Sequence, residues 1–181
     1  MKNKNLNKVV VVDFGSQTTQ LIIRRIREIG VYCEIISYNN LYSYIRKNRP
    51  QAIILSGGPA SSFKKKSPKL NKQVLKMNIP ILGICYGMQI ICQTLGGKVQ
   101  SSNRREFGKA EIKILKKNLL FNRIVFSKNN ASQVWMSHGD EVVALPKGFD
   151  TLAKTKANNI ASIGNIKKNI YGLQFHPEVI H

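Results

Sequence analysis

The chain has 181 residues, 43% of them hydrophobic and 21% charged, with a formal net charge of +20. That describes one globular domain able to bury a sizeable core, and no apolar run approaches the ~20 residues that span a bilayer, so no membrane partner is expected. The basic residues are scattered, as in Lys64-Lys65-Lys66, Lys116-Lys117 and Lys167-Lys168, and sit among Asn rather than stacking aromatics, so no specific nucleic-acid partner is expected.

Lys8 to Phe14 is a β-branched run suited to a strand buried on both faces. Ser16 follows as a candidate N-cap, and Thr18 to Ile29 reads as an amphipathic helix closed by Gly30. Val31 to Ile36 reads as a strand, Leu41 to Lys47 as a short helix, and Ala52 to Leu55 as a third strand running into Ser56-Gly57-Gly58-Pro59. A basic loop precedes a modest helix over Leu70 to Met77. Pro80 to Ile84 is the fourth strand, and it delivers Cys85 to a helix that ends at Gly96-Gly97. Beyond it the pattern shortens to β segments: Lys98–Ser101, Ala110–Leu115, Gln133–Met136, Glu141–Leu145, Thr151–Lys154, Ala161–Ile166 and Ile170–Phe175.

Strand and helix alternate through the first half. This predicts an α/β fold with a doubly wound, mostly parallel sheet, extended by β segments in the C-terminal half. Ligands in such sheets bind at the carboxyl ends of the strands, where Gly57-Gly58 and Cys85 both fall. The cysteines are Cys33, Cys85 and Cys92, an odd set with neither a disulfide framework nor zinc-type spacing. The basic N-terminus meets Asp13 after only four apolar residues, too few for a signal peptide, so a cytoplasmic protein is expected.

Gly83-Ile84-Cys85-Tyr86-Gly87, between strand and helix, is the thiol counterpart of a nucleophile elbow. The helix N-terminus would favour the thiolate. Taken alone, Cys85 reads equally well as a small core residue. A thiol nucleophile needs a base, and the base needs an orienting group. His176 follows a strand, and Glu178 stands two residues on across the rigid Pro177, so Glu178 can hold the imidazole. Gly57-Gly58-Pro59 alone would be an ordinary turn, and it lacks the Asp of an S-G-G-x-D-S nucleotide loop. Trp135 reads as a structural anchor, and Cys33 and Cys92 as core residues.

Together, Gly83-Ile84-Cys85-Tyr86-Gly87-Met88-Gln89 and Phe175-His176-Pro177-Glu178-Val179 resemble the class I (triad) glutamine amidotransferases. Asp13-Phe14-Gly15-Ser16-Gln17, Leu55-Ser56-Gly57-Gly58-Pro59, Arg105-Glu106-Phe107-Gly108 and Trp135-Met136-Ser137-His138-Gly139-Asp140 resemble, within that family, the glutaminase domain of the GMP synthetases. The resemblance covers Val9 to His181 and implies a flavodoxin-like fold. It implies Cys85 as nucleophile, His176 as general acid and base, Glu178 as its orienting partner, and the backbone N–H groups of Gly58 and Tyr86 as oxyanion hole. Gly57, Gln89, Ser137 and His138 match glutamine-binding positions.

The same resemblance implies glutamine as substrate and, as partner, an ATP pyrophosphatase (synthetase) domain or subunit. That partner would use ATP and Mg2+ to aminate XMP to GMP. No cofactor or metal is expected within residues 1–181, read as a single amidotransferase domain. In relatives the motif is followed by a closing helix, an ATP pyrophosphatase domain and a dimerisation domain, and none follows it in this sequence. That leaves a fragment or a free-standing subunit open. A non-catalytic remnant or interaction module of the same fold is the competing expectation.

Overall fold

The computed structural model describes residues 8–58, 61–62, 64–116, 118–122 and 131–179, without the side chains of 103–105. Pro59, the side chain of Arg105 and His181 lie outside the described residues.

The β-branched segment Lys8–Asp13 forms strand β1, with Val10, Val11 and Val12 fully buried. Thr19–Glu28 forms helix α1, Tyr32–Ser37 strand β2, Leu41–Lys47 helix α2 and Ala52–Leu55 strand β3. Ile81–Ile84 forms β4 and Tyr86–Thr94 forms α3. Lys98–Ile114, Ala131–Ala144, Asp150–Thr155, Ile160–Asn165 and Ile170–Leu173 form β5 to β9.

All nine strands lie in one sheet ordered β2-β1-β3-β4-β9-β8-β7-β5-β6. The pairs from β2 to β9 are parallel, and those from β9 to β6 are antiparallel. Alternation along the strands splits the core. Val10 and Val12 face α2 and α3 on one side, while Val11 packs against Ile22, Ile23 and Ile26 of α1 on the other. This is the expected doubly wound arrangement. A third cluster, with Ile112, Met136, Leu152 and Phe175, fills the antiparallel half.

Three local expectations give way. The predicted strands at 98–101 and 110–115 are one strand, β5, and those at 133–136 and 141–145 are one strand, β6. The charged stretch between the first pair is absorbed by a register shift between Ser101 and Glu106, a bulge that bends the ribbon instead of ending it. The predicted helix over 70–77 shrinks to a 3₁₀ turn, Val74–Lys76. There Asn71 Oδ1 accepts the Gln73 N–H at 2.9 Å, a local bond that competes with helix initiation. Ser16 does not cap α1, whose N-cap is Thr18. Its Oγ instead accepts the Thr18 N–H at 3.1 Å and closes the turn before the helix.

Candidate active site

The parallel register aligns Leu55 with Gly83 and Ile84 with Leu173. The segments after β1, β3, β4 and β9 therefore emerge at one edge. Ser56, fully buried, ties two of them together: its Oγ accepts the Phe14 N–H at 3.2 Å and donates to the Gly57 carbonyl at 3.0 Å.

Cys85 sits between β4 and α3 with φ 52° and ψ −104°, a conformation that a side chain adopts only at a cost of order 1–3 kcal/mol. The Cys85 N–H donates to the Leu173 carbonyl at 2.7 Å, and the Gly87 N–H to the Ser56 carbonyl at 3.1 Å. These bonds hold the elbow against both neighbouring strand ends. The glycines make the turn possible. A Cβ on Gly83 would stand 2.5 Å from the Gly87 carbonyl carbon, and one on Gly87 would stand 2.3 Å from the Leu55 oxygen. The strained turn puts the sulfur at the N-terminus of α3. Tyr86 opens α3, so its N–H belongs to the first turn and has no intrahelical acceptor.

His176 and Glu178 lie beyond β9, both buried. His176 Nδ1 is 2.7 Å from Glu178 Oε1. That leaves Nε2 for the hydrogen bond that the ring shares with Cys85. Burial works to lower the His176 pKa. Hydrogen bonds to Cys85 and Glu178, with the charges of both, outweigh it and push the pKa up to about 10. The His176 N–H donates to the Trp135 carbonyl at 2.9 Å, and Arg25 Nε of α1 to the Glu178 carbonyl at 3.3 Å, so the loop is held on both sides.

A cavity of about 360 Å³ opens over this group, lined by Gly15–Thr18, Gly58, Cys85, Trp135, Ser137, His176 and Val179. Gly58 lines it, and Gly57 precedes it beside His176. A Cβ on Gly57 would stand 3.3 Å from His176 Cε1, and one on Gly58 3.1 Å from Tyr86 Cγ, so any added side chain would press on the His176 and Tyr86 rings. Backbone facing a cavity beside a nucleophile is what oxyanion binding requires.

The structure thus puts Cys85, His176, Gly58 and Ser137 on the cavity lining, with Glu178 held against His176, Gly57 beside His176 and Tyr86 under Gly58. Gln89 and His138 stand behind the wall and do not line it. Gln89 Nε2 donates to the Asp140 carbonyl at 3.1 Å, and His138 Nδ1 to the same oxygen at 2.9 Å. Burial, partly offset by Glu106 and the Asp140 carbonyl, holds the His138 pKa below its ordinary value. Its Nε2 lies 3.2 Å from Glu106 Oε2, without hydrogen-bond alignment.

Trp135 is more than an anchor, because it walls the cavity and its carbonyl fixes His176. Sequence reasoning missed the Ser16-Gln17-Thr18 wall, Arg25 and the Gln174 side chain beside the sulfur. The Asp13-Phe14-Gly15-Ser16-Gln17 motif at a strand end carried the signal for the first. Cys33 and Cys92 are buried core residues, and burial pushes the Cys92 thiol up to about 11.

A family model for class I glutamine amidotransferases matches residues 10–181. The GMP synthase [glutamine-hydrolyzing] of Brachyspira hyodysenteriae is 52% identical over 177 residues, covering 98% of this chain and 34% of the relative. That of Aquifex aeolicus is 48% identical over 173 residues, covering 96% and 33%. The chain therefore spans about a third of the length of these curated relatives. A solved Thermoplasma acidophilum protein, proposed to be one component of a GMP synthase, superposes with a TM-score of 0.80 at 29% identity, covering 97% of this chain and 86% of that one. A Thermotoga maritima glutamine amidotransferase superposes at 0.74 and 22% identity, covering 96% and 77%, a likeness of fold alone.

Proposed function

The chain belongs to the class I glutamine amidotransferase family, and from that premise we propose that it is the glutaminase part of a GMP synthetase, releasing ammonia from glutamine through Cys85, His176 and Glu178. The buried line from Glu178 Oε1 through His176 to the Cys85 sulfur, at the floor of the cavity, carries this reading.

Glutamine enters with its side-chain amide over Cys85. The thiolate attacks the amide carbon, and the developing oxyanion meets the N–H groups of Gly58 and Tyr86, each worth about 3 kcal/mol in such a site. The imidazolium of His176 gives its proton to the departing ammonia, and Cys85 is left as a thioester. His176 then takes a proton from water, which attacks the thioester, and glutamate leaves. Glu178 keeps the ring oriented and supports its positive charge, as the acid does in a Ser-His-Asp triad. Gly57 and Ser137 flank the bound amide. Gln89 and His138 act on the substrate side through the Asp140 segment they hold.

The ammonia serves a synthetase domain or subunit that aminates XMP to GMP with ATP and Mg2+. Glutamine hydrolysis here draws on neither. Three free buried cysteines suit a reducing compartment, and we place the protein in the cytoplasm. Among the described residues no helix is long and apolar enough to cross a membrane.

The test is ammonia release from glutamine by the purified chain, alone and with a GMP synthetase ATP pyrophosphatase partner. The expected result is slow release that accelerates with the partner and disappears in Cys85→Ala. Undiminished release in Cys85→Ala would overturn the reading.

A further inference from the structure

Gln174 is 1% exposed and stands two residues before His176. Its backbone N–H donates to the Ala161 carbonyl at 2.9 Å, which turns the side chain toward the elbow. The terminal Nε2 lies 3.6 Å from Cys85 Sγ. A carboxamide can present nitrogen or oxygen to a neighbour by a simple flip. At this position the surrounding donors and acceptors decide which.

The deciding atom is the Asp140 carbonyl, which can only accept. Two side chains converge on it, Gln89 through Nε2 at 3.1 Å and His138 through Nδ1 at 2.9 Å. Gln89 therefore presents its nitrogen, and its remaining N–H points at Gln174, 3.3 Å away. Only the Gln174 oxygen can accept there. With Oε1 engaged, Nε2 must face the sulfur. Gln89 is 3% exposed and His138 6%, so this chain of bonds lies away from bulk solvent.

We infer that Gln174 is a further catalytic residue, whose carboxamide N–H donates to Cys85 Sγ and holds it as the attacking thiolate. Gln89 and His138 are positioning residues that fix the direction of that amide through the Asp140 carbonyl. The opposing influence is the Ser137 carbonyl, 3.7 Å from the sulfur, which a thiol S–H could use and a thiolate cannot. Among the described residues His176 hydrogen-bonds the sulfur and Glu178 holds His176 from behind. Asp140 and the His138–Glu106 pair reach the sulfur only through the amide chain. When the thiol ionises, its proton passes to His176, and the sulfur keeps two donors, His176 and Gln174. Hydrogen bonds to a charged acceptor are about twice as strong as neutral ones, so the donor acts selectively on the thiolate.

The attacking role rests on the glutaminase reading, but the thiol can be probed without glutamine. The measurement is the rate of Cys85 alkylation by iodoacetamide against pH, in the full chain, read by mass spectrometry of the Cys85 peptide. Gln174→Glu keeps the shape and puts an acceptor against the sulfur. It is expected to move the alkylation midpoint up by about one pH unit and to lower kcat for glutamine with little change in KM. Gln89→Met leaves Gln174 in place, removes its anchor, and is expected to move the midpoint the same way by less. Midpoints equal to wild type in folded Gln174→Glu overturn the inference. Should Gln174→Glu not fold, Gln89→Met decides by the same criterion. A wild-type protein that hydrolyses no glutamine, while these midpoints still shift, refutes the glutaminase reading and leaves the thiolate donor standing.

Discussion

The parallel and antiparallel halves of the sheet serve the same cavity by different means. The parallel half contributes side chains and bare backbone at strand ends: Gly58 after β3, Cys85 after β4, His176 and Glu178 after β9. The antiparallel half contributes main-chain carbonyls along strand β6: Trp135 to the His176 N–H, Ser137 beside the sulfur, Asp140 to Gln89 and His138. The first half decides what reacts. The second decides how the reacting groups are aimed, and it does so with atoms that every residue type possesses.

Substitutions should expose this division. The largest effect is expected from Cys85→Ala, which removes the nucleophile and should lower kcat for glutamine hydrolysis by at least about a thousandfold with the fold intact. His176→Gln should cost about a hundred- to ten-thousandfold. Thermal unfolding should find Gly87→Ala severely destabilised, by several kcal/mol, because its Cβ would meet the Leu55 oxygen at 2.3 Å, a backbone atom that cannot step aside. Gly58→Ala should be folded but slower by about tenfold or more, since its Cβ would press on the Tyr86 ring at 3.1 Å and displace the oxyanion N–H groups. On β6, Ser137→Ala keeps the carbonyl and should change kcat by less than about tenfold. An effect of Ser137→Ala equal to that of His176→Gln would erase the distinction between the halves.

The largest histidine shift lies in the parallel half, at His176. The His176 pKa is raised from 6.5 to about 10 in the folded protein. A group raised on folding contributes stability that is complete below its unfolded pKa and is lost as pH climbs through the folded value. The melting temperature of wild type relative to His176→Gln should therefore be highest below pH 6.5 and decline toward pH 10. A difference that grew over that range would reverse the sign.

The same division explains what could be read from the chain. Strands β1, β3 and β4 announce themselves as buried β-branched runs that end in short motifs, and His176-Pro177-Glu178 follows β9, so Cys85, His176 and Glu178 were legible as residue types at spacings. The β5–β6 ribbon was not. Its bulge falls among charged residues that read as a loop, and its contribution is backbone geometry, which leaves no mark on side-chain identity. Gln89 and His138 stand out in the sequence through their motifs, but the way they point could not be read from it. They turn toward the Asp140 carbonyl because that acceptor is buried and needs donors, a fact of tertiary placement. Gln174 was hidden beside the more conspicuous His176. Its significance depends on a chain of bonds spanning three elements.

The most direct test of the triad is the site of attack by an electrophile that mimics glutamine, such as 6-diazo-5-oxo-norleucine. The triad predicts one adduct per chain, on Cys85, slowed by added glutamine and nearly absent in His176→Gln. An unmodified Cys85, or labelling that glutamine does not slow, would contradict it.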